Sequence, residues 1–141
     1  MKIVVTFLLL SCAWSSHAQR VYMRLAGEAT AVGVRYGAAA GYTSPKKIQI
    51  GLFHQNELPQ DESRYARGKT FTGLETLYPF AKGQKIYVSG HLRAGIAERR
   101  FLVLVPGVRT SIELIQGVEL GLGMHWRYNR AAHELGIQFK I

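Results

Sequence analysis

The feature that most constrains the fold is a strict alternation of apolar and polar residues between Gly117 and Tyr128, in the stretch GVELGLGMHWRY. The apolar residues all fall on one parity: Val118, Leu120, Leu122, Met124, Trp126 and Tyr128. The other parity carries glycine and ionisable residues: Glu119, Gly121, Gly123, His125 and Arg127. Because successive side chains of a β-strand point to opposite faces, this pattern predicts a strand with one apolar and one polar face.

The same alternation recurs along most of the chain. The predicted strands cover residues 20–28, 31–43, 46–55, 69–80, 84–97, 101–115, 117–128 and 132–141. Soluble strands usually have about five or six residues. Several of the predicted strands are longer and reach the length that a tilted strand needs to cross a bilayer, about nine to eleven residues. The sequence therefore predicts an all-β protein, an antiparallel up-and-down barrel of eight transmembrane strands.

The predicted connections are short, with one exception. Turns at 43–46, 81–84 and 115–117 carry proline or glycine, which favour tight turns. The long connection runs from Gln55 to Lys69 and is polar throughout. If both termini lie on one side of a membrane, the short turns lie on that side and the long loop on the other.

The first residues indicate export. Lys2 precedes the apolar run IVVTFLLL, and Ser16-His17-Ala18 places small residues before a cleavage point at Gln19. The run is too short for a membrane-spanning helix, which needs roughly 20 residues. We therefore predict a signal peptide at 1–18 and a single barrel domain at 19–141. The stretch LLSC, which ends at Cys12, offers an alternative cut that would leave a lipid-tethered protein.

Composition restricts the chemistry further. Cys12 is the only cysteine, so cleavage after Ala18 leaves no residue for a disulfide, a thiolate metal site or a cysteine nucleophile. The net charge of +9 is typical of a chain with an anionic partner. For an exported chain, we expect that partner to be lipid headgroups and not nucleic acid.

The residues on each parity predict which face is inside. A narrow lumen needs small residues beside long charged ones, and the polar parity combines glycine with charges of both signs. The apolar parity carries aromatic residues at strand ends, which is typical of a girdle at the level of the lipid headgroups. The predicted lumen charge network is Arg35, Glu75, Arg93, Arg109, Glu113, Glu119, His125 and Arg127. The predicted lipid-facing residues include Leu120, Leu122, Met124, Trp126 and Phe139. Pro106 interrupts one strand, and we expect a bulge beside it.

The signal ending SHAQR, the eight alternating segments and the ending ELGIQFKI resemble the small eight-stranded outer-membrane barrels of the OmpA and OmpX type, in particular those of Bacteroidetes-like bacteria. The resemblance covers residues 19–141. It implies an address in the outer membrane of a Gram-negative cell and a structural or surface-interaction role. A typical member ends with an aromatic residue, whereas Phe139 is third from the end here.

We expect no catalytic residue, cofactor or metal. The lipid A deacylases, a group of similar barrels, have a serine two residues after a histidine near the end of the seventh strand; Arg127 follows His125 in that place, so no nucleophile is available. His91 and His125 share the inner parity, but two histidines without a carboxylate at matching depth make a weak metal site.

We predict that Arg64, Arg67 and Lys69 in the long loop contact lipid and lipopolysaccharide headgroups, because the planar guanidinium group of arginine forms bidentate hydrogen bonds with phosphate. Two alternatives to an integral barrel with a structural role remain at this point. One is a soluble or lipid-tethered periplasmic barrel, similar to a lipocalin, that binds an apolar ligand. The other is an accessory barrel of a secretion or conjugation apparatus.

Overall fold

The computed structural model describes residues 20–31, 33–59, 69–97, 101–127 and 130–141. Within these ranges the chain forms a closed barrel in which each strand pairs with its sequence neighbours. The strands are β1 (Arg20–Thr30), β2 (Gly33–Thr43), β3 (Gln49–Pro59), β4 (Thr70–Lys82), β5 (Ile86–Ala97), β6 (Phe101–Ile115), β7 (Val118–Arg127) and β8 (Arg130–Lys140). The predicted all-β, eight-stranded antiparallel barrel is confirmed. The predicted signal peptide and Cys12 lie outside the described residues.

Closure is made by antiparallel pairing of β1 with β8, from Tyr22 opposite Lys140 to Thr30 opposite Ala132. This pairing gives each edge strand a partner, which matters because an open sheet edge presents unpaired N–H and C=O groups that a bilayer cannot satisfy. No helix of the described chain is long and apolar enough to cross a membrane.

Three short turns connect the strands at one end of the barrel, as the sequence predicts. In the turn after β2, the Lys47 amide donates to the Ser44 carbonyl over 2.8 Å, and Lys47 has a positive φ of 64°. In the turn after β6, Gly117 has a φ of 84°, a conformation that glycine adopts without a Cβ clash. The carbonyl of Gly117 accepts a 2.7 Å hydrogen bond from the Lys140 amide, which ties this turn to the end of β8.

Two details of the strands differ from the sequence prediction. β3 extends to Pro59, opposite Gly33 of β2, so the first part of the predicted long loop is strand. The expected bulge at Pro106 is wrong, because the register shifts instead between Pro79 and Ala81 and between Glu113 and Ile115. Proline has no N–H to donate to a neighbouring strand. The described pairing of β6 with β7 ends at Gly107, the residue after Pro106, so β7 provides no paired residue that would need this hydrogen bond.

The two parities lie on opposite surfaces of the barrel. The outer wall is apolar and exposed; on β7, Leu122 and Trp126 keep 54% and 43% of their surface accessible. The interior is filled by charged and polar side chains that are almost fully buried. Its buried arginine, glutamate and histidine residues are Arg24, Glu28, Glu75, His91, Arg93, Arg109, Glu119, His125 and Glu134.

Candidate functional site

The centre of the interior is organised around Glu75, which β4 directs inward. Its carboxylate accepts a 2.9 Å hydrogen bond from the Tyr22 hydroxyl and is ion-paired with Arg24, and both of these residues lie on the inner face of β1. On the other side, His91 Nε2 and Arg93 Nε of β5 lie 3.2 and 3.4 Å from Glu75 Oε2. One carboxylate therefore joins strands that are distant in sequence.

Arg93 extends the connections across the lumen. Its guanidinium lies 3.2 Å from Glu28 Oε2 on β1 and is also ion-paired with Glu134 on β8. Glu134 in turn pairs with Arg109 of β6. Because each charge is buried, these contacts must replace the solvation that the groups lose.

These residues form one unit, which we call the central cluster: Arg24, Glu28, Glu75, His91, Arg93, Arg109, His125 and Glu134. Its three guanidinium groups match its three carboxylates, so the cluster is neutral when both histidines are neutral. Of the predicted lumen network, the cluster contains Glu75, Arg93, Arg109 and His125.

His91 and His125 are in direct contact at the centre. His125 Nε2 lies 2.7 Å from His91 Nδ1, and the two rings meet at an interplanar angle of 70°. If His91 donates from Nε2 to Glu75, its Nδ1 is the acceptor and His125 donates from its own Nε2. The remaining nitrogen, His125 Nδ1, is buried without a hydrogen-bond partner in the described chain. This arrangement accounts for the contacts between Glu75, His91 and His125 with both rings neutral and leaves one nitrogen of His125 without a partner.

The sequence-based reason for rejecting a metal site was wrong, because a carboxylate does lie at the depth of the two histidines. Donor atoms of His91, His125 and Glu134 all lie within 4.8 Å of one another. Glu134, however, already pairs with Arg93 and Arg109. A divalent cation here would add two uncompensated charges to a balanced cluster beside buried guanidinium groups, which disfavours its binding.

The remaining residues of the predicted network lie outside the central cluster. Arg35 borders the cluster at the end of the barrel where β3 ends and β4 begins: its guanidinium lies 3.3 Å from the carboxylate of Glu57 and 3.3 Å from that of Glu28, a member of the cluster. Arg127 lies against the Phe71 ring, with its guanidinium carbon 4.8 Å from the ring centroid.

Two predicted glutamates lie towards the short turns. Glu119 is buried there and bonds with Tyr87, Gln138 and Lys140. The predicted place of Glu113 in the lumen network is wrong: its carboxylate is partly exposed at the rim of the barrel near the short turns, and its ion pair within the described chain is with Lys47 Nζ, 3.6 Å away. It lies beside the register shift of β6, where inner parity no longer places a side chain deep inside.

An apolar layer in the interior was missed by the sequence analysis. The rings of Phe53 and Phe71 meet edge to face with centroids 4.7 Å apart, and the layer is completed by small and branched residues. Its members are Tyr22, Phe53, Phe71, Ala39, Ala97, Val103 and Val105. The guanidinium carbon of Arg93 lies 5.5 Å from the centroid of the Phe53 ring, so the apolar layer and the central cluster share a boundary. The sequence does indicate this layer at Leu52-Phe53, where two large apolar residues in succession break the alternation.

Inner glycines make room for the central cluster, and this yields a testable prediction. A Cβ at Gly121 would overlap the Arg109 guanidinium, whereas a Cβ at the outward Gly27 would meet nothing within 4 Å. We expect Gly121→Ala to lower the free energy of unfolding by about 1–3 kcal/mol, the usual cost of overpacking. Gly27→Ala is the matched control and should leave stability unchanged or raise it slightly. Urea titration of both variants checks this, and equal stabilities would contradict it.

The predicted lipid-facing residues all lie on the outer wall. Leu122, Met124, Trp126 and Phe139 are exposed there, and Leu120 is partly exposed beside them. Of the predicted headgroup-contacting loop, Arg64 and Arg67 lie outside the described residues. Lys69 is exposed and immediately precedes β4, and its carbonyl accepts a 2.9 Å hydrogen bond from the Glu57 amide.

The architecture matches that of solved transmembrane barrels. A protein from the de novo design of transmembrane β-barrels superposes with a TM-score of 0.72 at 8% identity, covering 86% of this chain and 95% of that one. The N-terminal β-barrel domain of Pseudomonas aeruginosa OprF gives 0.61 at 14% identity, over 86% and 97%. The Yersinia pestis outer membrane protein Ail, determined in a phospholipid bilayer nanodisc, gives 0.59 at 8% identity, over 88% and 100%.

No family model and no curated protein sequence matches the chain. At these low identities the structural likenesses establish the fold: this is a small eight-stranded barrel that resembles outer-membrane proteins.

Proposed function

We propose that the protein is a small integral barrel of the bacterial outer membrane with a structural or surface-interaction role. The observation that carries this proposal is the inversion of the two faces. Large apolar side chains cover the outside, where Leu102 keeps 77% of its surface accessible, while Arg24 and Glu75 in the interior are only 1% exposed. In water this arrangement exposes an extensive apolar surface and buries charge, whereas in a bilayer the outer wall contacts lipid.

The interior supports a structural role. Ion pairs cross the lumen from β1 to β4 and from β5 to β8, and the apolar layer fills the space beside them. Side chains of this size fill an eight-stranded barrel. A carrier for an apolar ligand needs its apolar face inside, so the same geometry disfavours a lipocalin-like function.

We assign the barrel to the OmpA and OmpX type, as found in Bacteroidetes-like bacteria, and its address to the outer membrane after export by the segment 1–18. The support is the sequence resemblance together with the eight-stranded fold. Its partners in this proposal are outer-membrane lipid and lipopolysaccharide, contacted through Arg64, Arg67 and Lys69. We propose no catalytic activity, since His125 directs Nε2 to His91 and lies 3.8 Å from Glu134 through Nδ1.

Heat-modifiable migration tests the proposal. The full chain is extracted from membranes in detergent and run on a gel with and without boiling. A closed barrel that resists detergent migrates differently before and after boiling, and we expect that shift. Recovery of the protein in the soluble periplasmic fraction, with no requirement for detergent, would contradict an integral barrel.

A further inference from the structure

The end of the barrel closed by the short turns is strongly basic. We call it the short-turn end; it comprises the start of β1, the end of β4, the turns at 44–48, 83–85 and 116–117, and the end of β8. Its cations are Arg20, Lys46, Lys47, Lys82, Lys85 and Lys140. The acidic residues described near them are Glu113 at the rim and the buried Glu119. Positive charge is therefore in clear excess at this end.

Two of these cations already have partners. Lys47 lies 3.6 Å from Glu113 and 4.7 Å from the centroid of the Tyr87 ring. Lys140 is ion-paired with Glu119. These contacts use both described carboxylates at the short-turn end.

The other four cations, which we call the basic collar, are Arg20, Lys46, Lys82 and Lys85. All are exposed, and none forms an ion pair with another residue of the described chain. Four like charges at one end repel each other unless an anionic partner or salt screens them.

Aromatic residues lie next to the collar on the outer wall. Phe80 and Tyr78 precede Lys82 on β4 and are 63% and 62% exposed, and Tyr42, beside the turn that carries Lys46, is 56% exposed. In membrane barrels, outward aromatic residues near strand ends lie at the headgroup level. The collar therefore lies at or just beyond the headgroups of the leaflet that the short turns face.

We propose that the basic collar binds the headgroups of anionic phospholipids of the phosphatidylglycerol class in that leaflet. This inference rests on the proposed membrane insertion and concerns the end of the barrel opposite to that at which β3 ends and β4 begins. Lysine ammonium groups act as mobile point charges that bind phosphate, and the neighbouring aromatic rings hold them at the depth of the phosphates. The level set by the aromatic residues favours a lipid over a soluble acidic protein.

The test compares two single variants of the full chain in vesicles of equimolar phosphatidylcholine and phosphatidylglycerol. K85Q removes one collar charge, and R130Q removes one exposed cation from the opposite end. After mild solubilisation, native mass spectrometry gives the ratio of the two lipids that each protein retains. A charge near an anionic surface changes binding by roughly five-fold. We expect the parent to retain mainly phosphatidylglycerol, K85Q to lower its enrichment roughly five-fold, and R130Q to resemble the parent.

The outcomes separate this inference from the function on which it rests. A parent protein that fails to insert into any vesicle contradicts the integral barrel. A parent that inserts, shown by heat-modifiable migration, but retains both lipids equally overturns the collar proposal alone. An equal loss of enrichment in K85Q and R130Q also overturns it, because that result indicates general attraction by net charge. Displacement of the lipid by excess soluble glycerol phosphate would identify a site for free phosphate and would likewise overturn it.

Discussion

Leu122→Lys is expected to prevent stable insertion of the barrel into lipid vesicles. Leu122 lies in the middle of β7 on the outer wall and is 54% exposed, so in a bilayer its side chain is close to the midplane. A lysine or arginine on the lipid face at this depth costs about 2–4 kcal/mol. That cost is a large part of the stability of a small domain, about 5–15 kcal/mol. The measurement is the fraction of heat-modifiable protein formed in vesicles across a urea titration.

Leu122→Met is the matched control, because it retains an apolar side chain of similar volume and should cost less than about 1.5 kcal/mol. The lipocalin-like alternative makes a different prediction for Leu122→Lys, namely a soluble folded protein that has lost an apolar ligand. A Leu122→Lys protein that inserts with the stability of the parent would contradict the assignment of the outer wall to lipid.

Arg93→Met is expected to destabilise the barrel from the inside. The substitution leaves Glu28, Glu75 and Glu134 with one guanidinium fewer in a buried cluster. Removing one partner of a buried ion pair typically costs about 3–5 kcal/mol, because the remaining charge loses its compensation. Urea titration in vesicles measures the loss. The exposed Arg130 provides a control of the same residue type, and Arg130→Gln should change stability by less than about 0.5 kcal/mol.

A double variant distinguishes lost charge balance from lost packing. In Arg93→Met/Glu134→Gln, one of the carboxylates that lose the Arg93 guanidinium becomes neutral. If charge balance dominates, the double variant loses less stability than the sum of the two single variants. Additive losses, or an Arg93→Met variant as stable as Arg130→Gln, would show that the central cluster does not act as an electrostatic unit.

Alternation along the chain is enough to predict the strands and their faces. On β7, for example, Leu122 and Trp126 lie outside and Glu119 and His125 inside, as their parity predicts. Parity works because a side chain in a regular strand has only two directions available. It fails near irregularities, as at Glu113, where the register of β6 shifts and the carboxylate lies at the rim.

Depth along the barrel axis could not be predicted, because it depends on how each strand slides against its neighbours. Glu75 meets Arg24 across a separation of 51 residues, and His91 meets His125 across 34. The same limit explains why Glu134 was not placed beside the histidines. Nor does parity identify an apolar side chain such as Phe53 that points inward among charged residues, because the interior of a filled barrel needs volume as well as charge.

The most direct test of the account is fractionation of cells that express the native chain, with carbonate washing of the outer-membrane fraction and intact-mass analysis of the retained protein. We expect retention in the washed membrane and a mass that begins at Gln19. Release into the soluble fraction would contradict it, because the apolar outer wall would then have no lipid to contact. An acylated mass that begins at Cys12 would contradict the predicted signal cleavage and indicate a tethered lipoprotein.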